Sequence, residues 1–135
     1  MPSYPSDEEL STPIRAELER INDLHLWDFE VAGGDVDSLL ILGSNDFTYY
    51  HYLEAEFAGV TFCDLPSTFS HAQFRLGQRY GETWSIWVTA ECNDTSVTEF
   101  EIQAASVQVR VGKVYYYERE NLLPGERIAG RARRD

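Results

Sequence analysis

The amino-acid sequence predicts a mainly β domain: an antiparallel meander or barrel-like sheet of about eight strands, preceded by one N-terminal helix. Hydrophobic and polar residues alternate over most of the chain, which is the pattern of strands exposed on one face. Helical spacing occurs only near the N-terminus. Because 135 residues leave room for one hydrophobic core, we expect a single domain over residues 1–135.

The helix is predicted over about residues 12–22. Ser6 followed by Glu9 has the spacing of a capping box, but Thr12 followed by Pro13 is the stronger start signal, because proline is favoured at the first helical position. An amphipathic helix buries its apolar stripe and leaves its charged face in water. The apolar residues at helical spacing, which we expect to face the core, are Ile14, Leu18 and Ile21.

The β body is predicted over about residues 24–119, where the hydrophobic period shortens to two. Its first strand, 25–31, places Trp27 and Phe29 at inward positions. The run 39–42 is apolar at every position, so we expect a central strand that is covered on both faces.

Three longer strands are predicted next. The first spans 47–58, and Gly59 is expected to bend the chain before it continues to residue 62. The other two span 68–79 and 83–92, with the same alternation of apolar and polar residues. The inward residues of the three strands are Leu53, Ala55, Phe57, Phe74, Leu76, Trp84, Ile86, Val88, Ala90 and Cys92.

The end of the β body contains a change of face. Inward residues stand at even positions before Ala105 and at odd positions after it, so a β-bulge is predicted there. The pair Gly112-Lys113 lies between two valine-rich runs and predicts a two-residue hairpin turn before a last strand over 114–119. A loose tail is expected over about residues 123–135.

The charge of the chain is strongly negative: 11 Lys and Arg stand against 23 Asp and Glu, a net charge of -12. The last ten residues hold four of the basic and two of the acidic residues, so residues 1–125 carry a net charge of -14. Such a field repels nucleic acid and anionic membranes and attracts basic partners at low salt. We therefore expect a basic protein partner, although acidity also serves solubility alone.

The first residues contain acids and prolines instead of the basic end and apolar run of a secretory leader. No stretch approaches the roughly 20 apolar residues of a membrane-spanning helix. We therefore expect a cytoplasmic location, where Cys63 and Cys92 would be reduced.

Residue types that carry chemistry are present without the spacing that chemistry requires. The histidines and cysteines lack the close spacings of a zinc site, and Ser44 lacks the flanking glycines of a nucleophile elbow. No Gly-rich loop joins a strand to a helix as a nucleotide site needs. We therefore predict that the protein is not an enzyme and uses neither a metal nor another cofactor.

The remaining feature is a surface. Outward positions of several predicted strands carry carboxylates and aromatic rings, which supply charge complementarity and anchoring area at interfaces. Trp87 is the strongest indication, because an exposed tryptophan often contacts a partner. The residues predicted to form this partner-binding face are Tyr50, Tyr52, Glu54, Glu56, Trp87, Glu91, Glu99 and Glu101, with Asp28 and Glu30 beside them. Coverage of the same face by the helix would instead make the rings part of the core.

The segment from Leu53 to Pro66 reads LEAEFAGVTFCDLP, and the segment from Phe74 to Gly77 reads FRLG. In these two segments the chain resembles small, mostly β immunity proteins of bacterial polymorphic toxin systems. The resemblance implies a protein that neutralises a cognate toxin by tight binding, and it implies no catalytic residues.

Two alternatives remain open. Tyr49 and His51 share the inward parity of Leu53, so together with His71 they would line a cavity in a small-molecule-binding β-barrel or an unrecognised hydrolase. The second alternative is a structural domain that forms homo-oligomers by pairing an exposed edge strand, for which the tyrosine-rich strand 114–119 is the candidate.

Overall fold

The computed structural model describes residues 6–92 and 96–129, which form one helix and a single nine-stranded sheet. The mainly β fold class with one N-terminal helix is confirmed, and the sheet is not closed. The elements are α1 Asp7–Asp23, β1 Asp28–Gly33, β2 Ser38–Ser44, β3 Tyr50–Ala58, β4 Phe62–Cys63, β5 Thr68–Tyr80, β6 Thr83–Cys92, β7 Ser96–Ala104, β8 Ser106–Tyr115 and β9 Arg127–Ile128.

The strands are ordered β4-β7-β6-β5-β1-β2-β3-β8-β9, and every neighbouring pair is antiparallel except β8 and β9. Strands β7 and β8 lie near opposite ends of this order, yet Ala105 alone separates them in the chain. The sheet must therefore curl until its ends approach each other at Ala105, whose N–H donates to the carbonyl of Ala58 at 2.9 Å. The change of face that the sequence predicts near Ala105 lies at this bend between two strands.

Helix α1 packs on the concave side of the sheet against β5 and β8. Its apolar stripe is buried as predicted, with Ile14, Leu18 and Ile21 at most 5% exposed. The predicted start near residue 12 is wrong, because the helix begins at Asp7 with Ser6 as its cap. The Ser6 hydroxyl accepts the N–H of Glu9 at 3.1 Å, and three acidic residues in the first turn favour the early start.

The structure corrects two predictions, the inward position of Trp27 and the hairpin turn at Gly112. Strand β1 begins at Asp28, and Trp27 is 61% exposed, because His25 has φ 50° and the turn there gives the buried position to Leu26. No hairpin occurs at Gly112: β8 runs through it, and the extra residue forms a bulge opposite β3. Pairing with β3 along this segment outweighs the local turn tendency of a Gly-Lys pair.

The C-terminal segment is less loose than predicted. Residues 127–128 form β9 beside β8, and the N–H of Ala129 donates to the carbonyl of Tyr115 at 2.9 Å. The part of the predicted tail over 130–135 lies outside the described residues. Contacts with distant residues, which local composition does not reveal, hold this segment in place.

Candidate protein-binding face

The eight residues predicted to bind a partner stand at alternate positions on the sheet face turned away from α1, which we call the outer face. The structure divides them into two groups. One group lies on β3: Tyr50, Tyr52, Glu54 and Glu56. The other group lies on β6 and β7: Trp87, Glu91, Glu99 and Glu101. Four strand spacings, roughly 19 Å along the sheet, separate β3 from β6, so the residues do not form one cluster.

Trp87 is half-buried, so it is less open to solvent than the sequence indicates. Its indole lies over Gly77, where an added Cβ would be 2.7 Å from Nε1 of Trp87. The absence of a side chain at Gly77 therefore lets the ring lie flat on the sheet. The tryptophan that is open to solvent is Trp27, which the alternation of β1 had placed inward.

Several of the predicted carboxylates are already engaged within the protein. Glu99 lies 3.5 Å from Arg75, and Glu56 lies 3.9 Å from Arg110. The carboxylate of Glu101 accepts hydrogen bonds from Ser85 and Gln103. The first two pairs are at least 46% exposed on every side chain and cost little to break, because water and salt screen them.

Two carboxylates that no described Lys or Arg pairs with, those of Asp28 and Glu91, lie at the middle of the outer face. Strand register aligns Asp28 on β1 with Ser70 on β5 and Glu91 on β6. Around this row the outer face is indented by a groove of about 330 Å³, which we call the acidic groove. Its walls are formed by Asp28, Glu30, Phe47, Thr68, Ser70 and Glu91, with Phe29 and Phe69 contributing below them. Within 6–92 and 96–129, no Lys or Arg forms an ion pair with Asp28 or Glu91.

Trp27 and His71 contact each other beside the acidic groove, with ring centroids 4.8 Å apart. A bulge in β5 after Ser70 turns His71 outward at φ 52°. The backbone N–H of His71 donates to the backbone carbonyl of Trp27 at 2.9 Å. The imidazole Nδ1 lies 2.8 Å from Glu91. Simple alternation from Phe69 would place His71 inward, so the sequence offers no signal for this arrangement.

His51 is buried and fully occupied. Its Nδ1 lies 2.7 Å from the hydroxyl of Tyr116 and its Nε2 lies 2.8 Å from the carboxylate of Glu54. The same carboxylate accepts from Arg110 at 3.1 Å and from Arg127 at 2.6 Å. This His51–Glu54 network therefore links β3, β8 and β9.

The pKa values of His51 and Glu54 are both lowered, for different reasons. Burial lowers the pKa of His51 more than the neighbouring Glu54 raises it, so the imidazole is neutral near pH 7. Burial also opposes ionisation of Glu54, but hydrogen bonds from His51, Arg110 and Arg127 outweigh it and lower the pKa of that carboxyl. The arrangement stabilises a neutral imidazole beside a carboxylate that two arginines neutralise.

Three clefts in the described part of the chain lie away from His51. Besides the acidic groove, one cleft of about 560 Å³ lies between α1 and the start of β8, and one of about 250 Å³ lies between α1 and β5. His51, Tyr49 and His71 line none of the three, and Tyr49 is 56% exposed. Both ring nitrogens of His51 are engaged by Tyr116 and Glu54 within the protein.

In the described part of the chain, no group of three or more His, Cys, Asp or Glu is arranged to hold a metal ion, and Cys63 and Cys92 are unbridged. The helix found there is too short and too polar to cross a membrane. The chain matches no protein-family model, no curated protein and no solved structure.

Proposed function

We propose that this domain is a non-enzymatic protein that binds a basic partner protein on the acidic groove and the outer face around it. The observation that carries the proposal is the alignment of Asp28 and Glu91 in one groove without a Lys or Arg counter-ion from the described residues. A partner's Lys or Arg would supply the missing positive charge.

The exposed Trp27 gives the same site an anchor. Tryptophan is enriched among residues that dominate binding energies, and a Lys or Arg placed over its face gains about 0.5–2 kcal/mol. Trp27 is 61% exposed and stands within 4.8 Å of His71, which itself contacts Glu91. A single basic side chain could therefore contact a carboxylate and an aromatic face together.

The net charge of -12 adds a long-range contribution. A large net charge raises the rate at which a protein meets an oppositely charged partner. Salt weakens this attraction, because at 0.1 M charges more than about 10 Å apart are largely screened. The resemblance of residues 53–66 and 74–77 to immunity proteins supports an inhibitor role, in which the basic partner is a toxin.

The test compares capture of proteins from a native lysate by three immobilised forms of the domain at low and high salt. The first is the wild type, and the second is the groove variant Asp28→Asn/Glu91→Gln. The third is the control variant Glu19→Gln/Asp23→Asn, which removes two exposed charges from α1.

We expect a salt-sensitive basic protein on the wild type and the control variant, with at least tenfold less on the groove variant. Both variants have the same net charge, so net charge alone would give them equal capture. Equal capture, or no salt-sensitive partner at all, would reject the groove as the docking site.

A further inference from the structure

Strand β7 is paired along its whole length on one side only. On that side it pairs with β6 from Ser96 to Ala104 without interruption. On the other side β4 pairs with residues 102–103, and Asp64 contacts the backbone of Glu101. From residue 96 to residue 100, the described chain offers this second edge no ladder partner.

The free edge presents backbone groups at defined positions. Backbone N–H and C=O groups point alternately to the two sides of a strand. Glu101 and Gln103 use theirs on the β4 side, and the register with β6 is unbroken. By alternation, the N–H and C=O groups of Val97 and Glu99 point to the free edge, while those of Thr98 point to β6.

No described side chain covers this edge, because all four residues from Ser96 to Glu99 are exposed and Val97 is 65% exposed. The opposite end of the sheet is protected. At β8, Glu17 accepts the N–H of Val109 at 2.6 Å and Arg20 donates to its carbonyl at 3.2 Å. Residues 114–115 are covered by β9, so the tyrosine-rich edge expected to self-associate is occupied there.

We propose that the free edge of β7 binds an extended basic segment of the partner as an added antiparallel or parallel strand. This inference rests on the proposed function. Val97 stands in register with Glu91, which lines the acidic groove, so an added strand would extend the row of Glu91 and Asp28. Its outward side chains would lie about 4.8 Å from Val97 and Glu99 and about 10 Å from Glu91.

Charge favours a basic segment over a second copy of this chain. Two copies would each bring a net charge of -12, and antiparallel edge-to-edge pairing centred on Glu99 would place the two Glu99 side chains directly opposite each other. Lys or Arg at alternate positions of an added strand would instead face Glu99, whose pair with Arg75 is exposed and 3.5 Å long. A basic segment would therefore both pair with the free backbone groups of β7 and neutralise Glu99.

The test uses a synthetic eight-residue peptide of alternating Lys and Thr and the full ¹⁵N-labelled chain. In the free protein we expect slow amide exchange at Thr98 and fast exchange at Val97 and Glu99. The peptide should slow exchange at Val97 and Glu99 at least tenfold and leave Thr98 unchanged, because only edge pairing protects alternate amides. Exchange protection at Val97 and Glu99 that rises with protein concentration without peptide would identify a second copy as the occupant and overturn the proposal.

Two controls separate edge pairing from charge attraction. A peptide N-methylated at every residue keeps its charge and loses the N–H groups of both edges. Val97→Pro removes an edge N–H that the ladder with β6 does not use, whereas Val97→Thr keeps it. We expect the methylated peptide and Val97→Pro each to weaken binding at least tenfold, and Val97→Thr to leave it within twofold.

The proposal that the β7 edge binds the peptide would be rejected if the wild-type chain bound both peptides equally and both Val97 variants bound the unmethylated peptide equally, without protection of the Val97 amide. The same result with reduced binding to the groove variant would leave the proposed function intact. Absence of any peptide binding would also reject the edge inference, and capture of the native partner by the wild type would then test the groove alone.

Discussion

Replacement of Glu54 by Gln is expected to destabilise the fold far more than the same change two residues away. The Glu54 side chain is 12% exposed and contacts His51, Arg110 and Arg127. Removal of one partner from a buried ion pair costs about 3–5 kcal/mol. Arg110 and Arg127 are 46% and 54% exposed and can regain water, so we expect a loss of about 2 kcal/mol.

Glu56→Gln provides the matched control, because Glu56 lies on the same face of the same strand. Its side chain is 48% exposed and its one ion pair is 3.9 Å long, so its loss should cost no more than about 0.5 kcal/mol. In urea unfolding at pH 7, with an m value of about 1.5 kcal/mol/M, the midpoints should fall by about 1.3 M and by less than about 0.4 M. Equal shifts for the two variants would show that the His51–Glu54 network does not stabilise the fold.

Three further predictions follow from single contacts. Gly77→Ala should cost about 1–3 kcal/mol in urea unfolding and alter tryptophan fluorescence, because the new Cβ displaces the Trp87 ring; unchanged fluorescence would contradict this packing. The pKa values of His51 and Glu54 are both lowered in the folded state, so the unfolded chain binds more protons. Stability should therefore fall as pH drops below 6.5 and again below 4.5, and His51→Gln should remove the first loss; a first loss that persists in that variant would refute the assignment. Glu17→Ala should cost about 1–2 kcal/mol and speed amide exchange at the β8 edge that it caps, and unchanged exchange there would exclude the cap.

The sequence was sufficient for features that depend on local periodicity. Alternation identified the buried Leu53, Phe57 and Ile86, and helical spacing identified Leu18, because each buries one regular face of a regular element. The break at Ala105 was visible as a change of face, but the predicted β-bulge was wrong, because the chain there passes between two separate strands near opposite ends of the sheet order.

Irregular backbone explains most of what the sequence did not reveal. Left-handed residues at His25 and His71 shift the parity of the chain, which exposed Trp27 and turned His71 outward. A bulge at Gly112 replaced an expected hairpin. Non-Gly residues rarely adopt positive φ, so composition gives no warning of such positions.

The sequence predicted the residue types of the candidate site better than it predicted which residues meet there. Outward carboxylates on β6 and β7 were anticipated, but strand order decides which of them meet, and strand order is not encoded in alternation. The pairing of Asp28 with Ser70 and Glu91 depends on β1 lying beside β5, a contact between segments about 40 residues apart. The Glu54 carboxylate was expected to be available and is instead neutralised by Arg127 from the C-terminal segment.

The most direct test of the docking site is an amide chemical-shift map of the ¹⁵N-labelled domain, titrated with the basic protein that the wild type captures. The account predicts that the largest changes fall on Asp28, Ser70, Glu91 and the indole N–H of Trp27, with α1 unaffected. Changes spread over α1 and the whole surface, or confined to α1, would contradict it.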